Sequence, residues 1–200
     1  MTSALVALCM LVQSPVYRAA DYFGLVPGLK RSYMTTQDKS SLETLEEVLP
    51  SRMIDRQGVV PVQTTSAGKK LDLNFFSMDE EGVYHYAIFD ESRVAPTRAV
   101  LKSFEKESKW SWTFMETGAP VQMTCIAKPA QKRTFQGKEV ETITLDVSGV
   151  VGNDDLAVTL KQTAIYGFRI GLLEMKETQQ TKRTKTVREV KLIRVVGDGW

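Results

Sequence analysis

Few side chains in this sequence are suited to chemistry. There is one histidine, His85, inside a Tyr84-His85-Tyr86 alternation, and there are two cysteines, Cys9 and Cys125. An imidazole works as a general base only beside a nucleophile and an orienting group. It holds zinc only with further thiolate, imidazole or carboxylate ligands, and none stands near His85 at ligand spacing. Carboxylates gather in Asp79-Glu80-Glu81 and Asp154-Asp155. Neither group has the alternating acidic ligands and closing glutamate of a calcium-binding loop, so both read as solvated turns. Paired glycosidase carboxylates converge in space rather than along the chain, and the sequence favours no pair. No glycine spacing matches a phosphate-cradling loop or a dinucleotide fingerprint. The sequence therefore leads us to expect no catalytic residues, no metal and no cofactor.

What the chain offers instead is apolar surface. Trp110, Trp112 and Phe114 alternate with Ser111, Thr113 and Met115, and Leu71, Leu73 and Phe75 share a face opposite Asp72 and Asn74. A buried aromatic brings on the order of 150–250 Å². Such a stripe either fills a core or lines a cavity that takes a lipid or other apolar ligand. Trp110, Trp112, Phe114, Leu71, Leu73 and Phe75 are the candidate ligand-binding residues. Cys125 lies in the strand-like Val121-Gln122-Met123-Thr124-Cys125-Ile126 and reads as a buried small apolar residue. The most basic stretch, Lys182 to Arg188, allows contact with anionic headgroups or an acidic partner. It also suits a hairpin turn and strand edge whose lysines discourage sheet-to-sheet aggregation. No aromatic side chains interleave with these charges, so nucleic acid is not an expected partner.

These side chains need a scaffold, and composition bounds it. Two hundred residues with 42% hydrophobic content suit one domain with a sizeable core. Lys and Arg total 26 against 24 Asp and Glu, so no global field steers the chain to polyanions. No window approaches the ~18 apolar residues of a membrane-spanning helix. Ala4 to Val12 is an uncharged apolar run of signal-peptide length, followed by small and polar residues to Ala20. We therefore expect residues 1–20 to be an export segment and 21–200 a single β-rich domain, periplasmic or extracellular. No basic residue precedes the run, and Leu8 stands before Cys9 where lipid attachment wants a small residue. With residues 1–20 removed, Cys125 has no disulfide partner.

From Asp21 onward the spacing is that of strands. Leu29, Arg31, Tyr33 and Thr35 share one parity; Tyr84, Tyr86 and Ile88 another; Ile143, Leu145 and Val147 a third; Val190, Leu192 and Val196 a fourth. Turn signals fall at Pro27-Gly28, Ala67-Gly68, Asp79-Glu80-Glu81-Gly82, Gly118-Ala119-Pro120 and Gln136-Gly137. The sum is about eight to ten antiparallel strands in a meander, sandwich or open barrel. Two stretches differ. Ser40-Ser41-Leu42-Glu43 has the form of a helix capping box, with Leu42, Leu45 and Leu49 at helical spacing before Pro50. Ala99 to Glu107, with Val100, Leu101 and Phe104, suggests a second short helix.

Several landmarks occur in a familiar order: Asp21-Tyr22-Phe23-Gly24-Leu25-Val26-Pro27-Gly28 with Tyr33, the turn Asp79 to Tyr84, Pro96 to Trp112, and Tyr166 to Leu173. Together they resemble a group of small exported bacterial proteins that lends no catalytic residues. Gly24 stands where that group usually has proline, Arg31 where it has an aromatic, and Arg169 where it often has glycine or valine. The resemblance implies an antiparallel half-barrel like that of lipoprotein carriers, with an apolar concave face. It also implies that Ser41 to Leu49 is a strand. On this reading the protein binds a lipid or other apolar ligand in the concave face, or docks an envelope protein partner with its interior filled. Gly167 and Gly171 would let the chain bend as it crosses the sheet, with Tyr166, Ile170 and Leu172 sealing the core beside them.

Overall fold

Alternating burial along nearly every segment closes the chain into a curved sheet. The structure is a computed structural model that describes residues 16–88, 92–116, 119–153 and 157–197. The apolar run Ala4 to Val12, Cys9, Gly118 and Asp154-Asp155 lie outside these residues. A short helix α1 (Ala19–Phe23) leads into β1 (Lys30–Gln37), β2 (Ser40–Val48), β3 (Arg52–Ile54), β4 (Gln57–Ser66), β5 (Lys69–Met78), β6 (Gly82–Ile88) and β7 (Ser92–Lys102). The second half comprises β8 (Ser108–Glu116), β9 (Ala119–Phe135), β10 (Lys138–Val151), β11 (Val158–Gly167), β12 (Gly171–Gln180) and β13 (Lys185–Val196). Twelve strands follow the order β7-β6-β5-β4-β2-β1-β13-β12-β11-β10-β9-β8, and β3 pairs off this path with β4.

All pairings are antiparallel, and most join consecutive strands. Two pairings skip along the chain: β2 pairs with β4, and β1 lies between β2 and β13 and so joins the two halves. The curved antiparallel sheet expected from the sequence is present and is carried nearly to closure. Its two ends, β7 and β8, meet at a seam where the Trp110 indole Nε1–H donates to the Ala99 carbonyl at 3.2 Å. Tyr17 and Phe104 exchange backbone hydrogen bonds of 2.7 and 3.0 Å, and their rings stack 5.0 Å apart. The helix α1 packs against β6 and β7 on one side and β11 and β12 on the other, so the segment before β1 spans the barrel's interior.

The main core fills that interior. Leu29, Val48, Val83, Leu101, Ile143 and Ile170 are among its most buried members. A second, smaller cluster of Ile54, Val59, Phe75, Tyr86 and Ala87 forms on the opposite face of β4 to β6, against β3. Two-residue turns at Asp55-Arg56, Ala67-Gly68 and Gln136-Gly137 have positive φ throughout, the twist that suits two-residue hairpins.

The helix read from the capping box is corrected: Ser40–Val48 is strand β2, paired with β1 and β4. Its leucines do not gather into a buried helix face, and Leu42 and Leu45 stay 48% and 38% exposed. Two-sided backbone pairing overrides local propensity there. The helix expected at Ala99 to Glu107 is also absent, since β7 runs to Lys102 and Phe104 bridges to Tyr17. Helix α1 falls where none was read.

Candidate functional site

Inward-facing positions of the joined halves meet around a partly open hollow of about 180 Å³. From β1 come Arg31 and Tyr33, from β2 Glu46, from β4 Val62 and Thr64, from β5 Asn74 and Phe76, from β11 and β12 Tyr166 and Leu172, and from α1 Phe23. Arg31 is 3% exposed. Its Nη1 donates to the backbone carbonyls of Phe23 and Ile170, each at 3.2 Å, and its Nη2 lies 3.1 Å from Glu46 Oε2. The guanidinium thus ties the C-terminal end of α1 to the β11–β12 turn. Gly171 makes room for it: φ there is +94°, and a Cβ would collide with Nη1.

Two polar atoms in this region have no hydrogen-bond partner: Arg31 Nε and Tyr33 Oη. Burial pushes the Tyr33 and Tyr166 phenols far above their ordinary range, so both keep their protons. The wall toward β6 is closed by a relay. The Asn74 Nδ2 group donates to Asp72 Oδ2 at 2.5 Å, and Asn74 Oδ1 lies 2.8 Å from His85 Nε2. His85 also stacks on Phe76 with ring centroids 5.4 Å apart. Burial, followed by the nearby Arg98 charge, holds the imidazole pKa below its usual value, so it is neutral at pH 7. The neutral ring donates through Nε2 to the asparagine oxygen and fixes the wall.

Apolar side chains complete the hollow. The Phe23 ring lies 4.9 Å from Phe76 and 6.0 Å from Tyr166, centroid to centroid. Among the described residues no group of three metal-ligating side chains converges. Cys125 is 1% exposed, and burial raises its thiol pKa to about 12.

None of the six residues singled out as ligand contacts lines this hollow. Trp110 is buried in the main core, with Trp112 and Phe114 packed against that core. The Arg98 guanidinium sits 3.9 Å above the Phe114 ring. Leu73 and Phe75 lie in the second cluster, and Leu71 is 47% exposed. The structure therefore gathers the tryptophan stripe in the barrel and puts the β5 stripe on the other face. Asp79 caps its own turn, its Oδ1 accepting from the backbone of Glu81 and Gly82 at 2.9 Å. Within the basic stretch, Lys182 and Arg183 fall in the β12–β13 turn and Lys185 opens β13. The residues that sequence reasoning missed are Arg31, Glu46 and Asn74. Their signal was present: Arg31 is a charged residue on the apolar parity of Leu29 and Tyr33.

No protein-family model matches the chain, and no curated protein matches it. Two solved structures are similar to it. One is a candidate lipoprotein from Parabacteroides distasonis, at 10% identity and TM-score 0.48, with 88% of this chain and 98% of that chain covered. The other is a candidate exported protein with a YmcC-like fold from Bacteroides fragilis, at 8% identity and TM-score 0.45, with 88% and 99% covered. Among the described residues no helix is long and apolar enough to cross a membrane.

Proposed function

We propose that this protein is a non-catalytic, exported binding protein of the bacterial envelope that holds a small ligand inside its barrel. One observation carries the reading: Arg31 and Tyr33, each with a buried and unpartnered polar atom, are among the residues lining a hollow of about 180 Å³. A buried polar group without a partner costs about 1–3 kcal/mol, and native proteins meet such groups with water or ligand. The lone histidine is engaged with Asn74, which supports a role other than catalysis. Export rests on the apolar run Ala4 to Val12. Because Ala19 is 1% exposed and Tyr17 is bridged to Phe104, we place the end of the export segment ahead of Val16.

The ligand is smaller than the lipid that the apolar stripes suggested. At about 180 Å³ the hollow falls below the ~300–1,000 Å³ of drug-sized ligand pockets, and the buried side chains of the main core pack around it. Native mass spectrometry of the protein from a bacterial envelope fraction tests the reading, and the intact mass locates the mature N-terminus. A bound species of low mass is the expected result. Protein that carries nothing, and whose melting temperature answers to no member of a small-molecule panel, would overturn it. The filled interior also favours a second reading, an adaptor that docks an envelope protein on its outer surface. A crosslinked partner retained without any small molecule selects that reading.

A further inference from the structure

The balanced overall charge hides an uneven distribution. The turns β4–β5, β1–β2 and β12–β13 lie at one end of the barrel. Their six strands are consecutive in the sheet, in the order β5-β4-β2-β1-β13-β12. Ser66 Oγ donates to the Glu43 carbonyl at 2.8 Å, Gln37 pairs with both Ser40 and Arg188, and Lys185 pairs with Gln180. Each tip thus stands three to four residues beyond the last. That is about 10 Å along the strands for about 10 Å across two of them. The slope matches the strand tilt of roughly 35–45° in a barrel, so the three tips arrive at one rim.

In these turns and the strand ends beside them stand six of the chain's 26 basic residues, Lys39, Lys69, Lys70, Lys182, Arg183 and Lys185, all exposed. One of its 24 acidic residues, Asp38, stands with them, which leaves the rest of the chain with three more acids than bases. The β5–β6 turn at the opposite end is the acidic Asp79-Glu80-Glu81. Lysines on the strand bodies are neutralised locally: Lys30, Lys128, Lys132 and Lys176 each pair with a carboxylate. Lys39, Lys69, Arg183 and Lys185 make no ion pair among the described residues. Nor do these charges guard a sheet edge, since the edges are β7 and β8.

The composition of the crescent selects its partner. Five of the six are lysines, point charges that suit a diffuse anionic surface better than arginine's bidentate grip on one defined group. No aromatic ring stands in the turns for nucleobases to stack on. Leu42 and Leu71, each two residues into its strand, are 48% and 47% exposed behind the tips. Lysine stems snorkel to headgroups while apolar neighbours settle at the interface. We propose that this crescent docks on a bilayer of anionic phospholipid through its six basic side chains. The surface is separate from the hollow, and the inference does not depend on the ligand-binding role.

Mature protein purified from a bacterial envelope fraction is sedimented with vesicles of two kinds: phosphatidylcholine alone, and equal parts phosphatidylcholine and phosphatidylglycerol. Binding to the mixed vesicles is expected to weaken steeply as salt rises. Phosphatidylcholine alone should bind at least roughly a hundredfold more weakly. At about fivefold per charge, Lys182→Gln/Arg183→Gln/Lys185→Gln should weaken the mixed-vesicle binding roughly a hundredfold, and Lys69→Gln/Lys70→Gln roughly twentyfold. Arg56→Gln/Lys106→Gln/Lys109→Gln removes as many charges from the opposite end and should change it by less than about twofold. Melting curves verify that each variant folds. Equal losses from the two triple variants would overturn the docking face, as would equal binding to the two kinds of vesicle. Full binding by the Lys69/Lys70 variant would also overturn it, because the three turns would then not act as one surface. Retention on immobilised heparin without vesicle binding would replace the bilayer with a soluble polyanion.

Discussion

Gly171→Ala is the substitution that most directly questions how the barrel holds α1. Gly171 sits at φ +94°, and a Cβ there would overlap Arg31 Nη1 and come within 2.9 Å of the Phe23 carbonyl oxygen. Gly28 is the natural control, with φ +86° and nothing within 4 Å of the same added atom. Backbone strain is common to both, about 1–3 kcal/mol for a non-glycine residue in such a conformation. Only at Gly171 must the guanidinium also leave the carbonyls of Phe23 and Ile170. Hydrogen bonds to a charged group are worth about 1.5–3 kcal/mol each, and water recovers part of that. Gly171→Ala should therefore cost roughly 2–5 kcal/mol more than Gly28→Ala. At about 2–4 °C per kcal/mol for a chain of this size, the melting temperature should fall roughly 4–20 °C further. Differential scanning calorimetry of the two variants side by side measures the difference. Equal losses would refute the reasoning, because the Arg31 tie would then contribute nothing.

Three other outcomes follow from the same geometry. His85 should titrate below 6.5, because burial and Arg98 disfavour its charged form. The folded state then binds fewer protons than the unfolded chain, so stability falls as pH drops below about 6.5. Urea midpoints between pH 7 and 5 should decline more steeply for the parent than for His85→Gln, and parallel declines would remove this account. Cys125, with its thiol pKa raised by burial to about 12, stays protonated at pH 8. Peptide mapping should find it unlabelled by a disulfide reagent until the protein unfolds, whereas rapid labelling of native protein would contradict its buried placement. Trp110→Phe deletes the indole bond to Ala99 that spans the seam, at a cost of about 1 kcal/mol. Amide exchange in β7 and β8 should quicken, and unchanged exchange would mean the seam is held by other contacts.

Much of the scaffold was legible because strands announce themselves at period two and hairpin turns by their residues. Ala67-Gly68 and Gln136-Gly137 are read as turns in sequence and are two-residue hairpins in space. The stretch Tyr166 to Leu173 behaves as its glycines suggest. The register shifts between Ile165 and Tyr166, Gly167 faces Gly171 across the turn, and Ile170 is 1% exposed. Parity was less secure wherever a strand carries an extra residue. Val190 and Leu192 point into the core, but the β1–β13 register shifts at Tyr33. Val195 is then buried, while Val196, expected on the inner face, is 47% exposed.

The sequence alone determined that the chain alternates and turns often, because these properties are local and follow from residue type and spacing. Which face of each strand looks inward was decided only by closure of the sheet. Leu73 and Phe75 pack beneath β3 on one side, so Asn74 and Phe76 turn to the interior. Arg31 and Glu46 are 15 residues apart and meet because β1 and β2 are antiparallel neighbours. Asn74, Tyr166 and Phe23 join them only when the two halves of the sheet curl around α1. A site built from residues on seven separate elements is a product of tertiary geometry, since no local pattern records where a curved sheet brings distant side chains together.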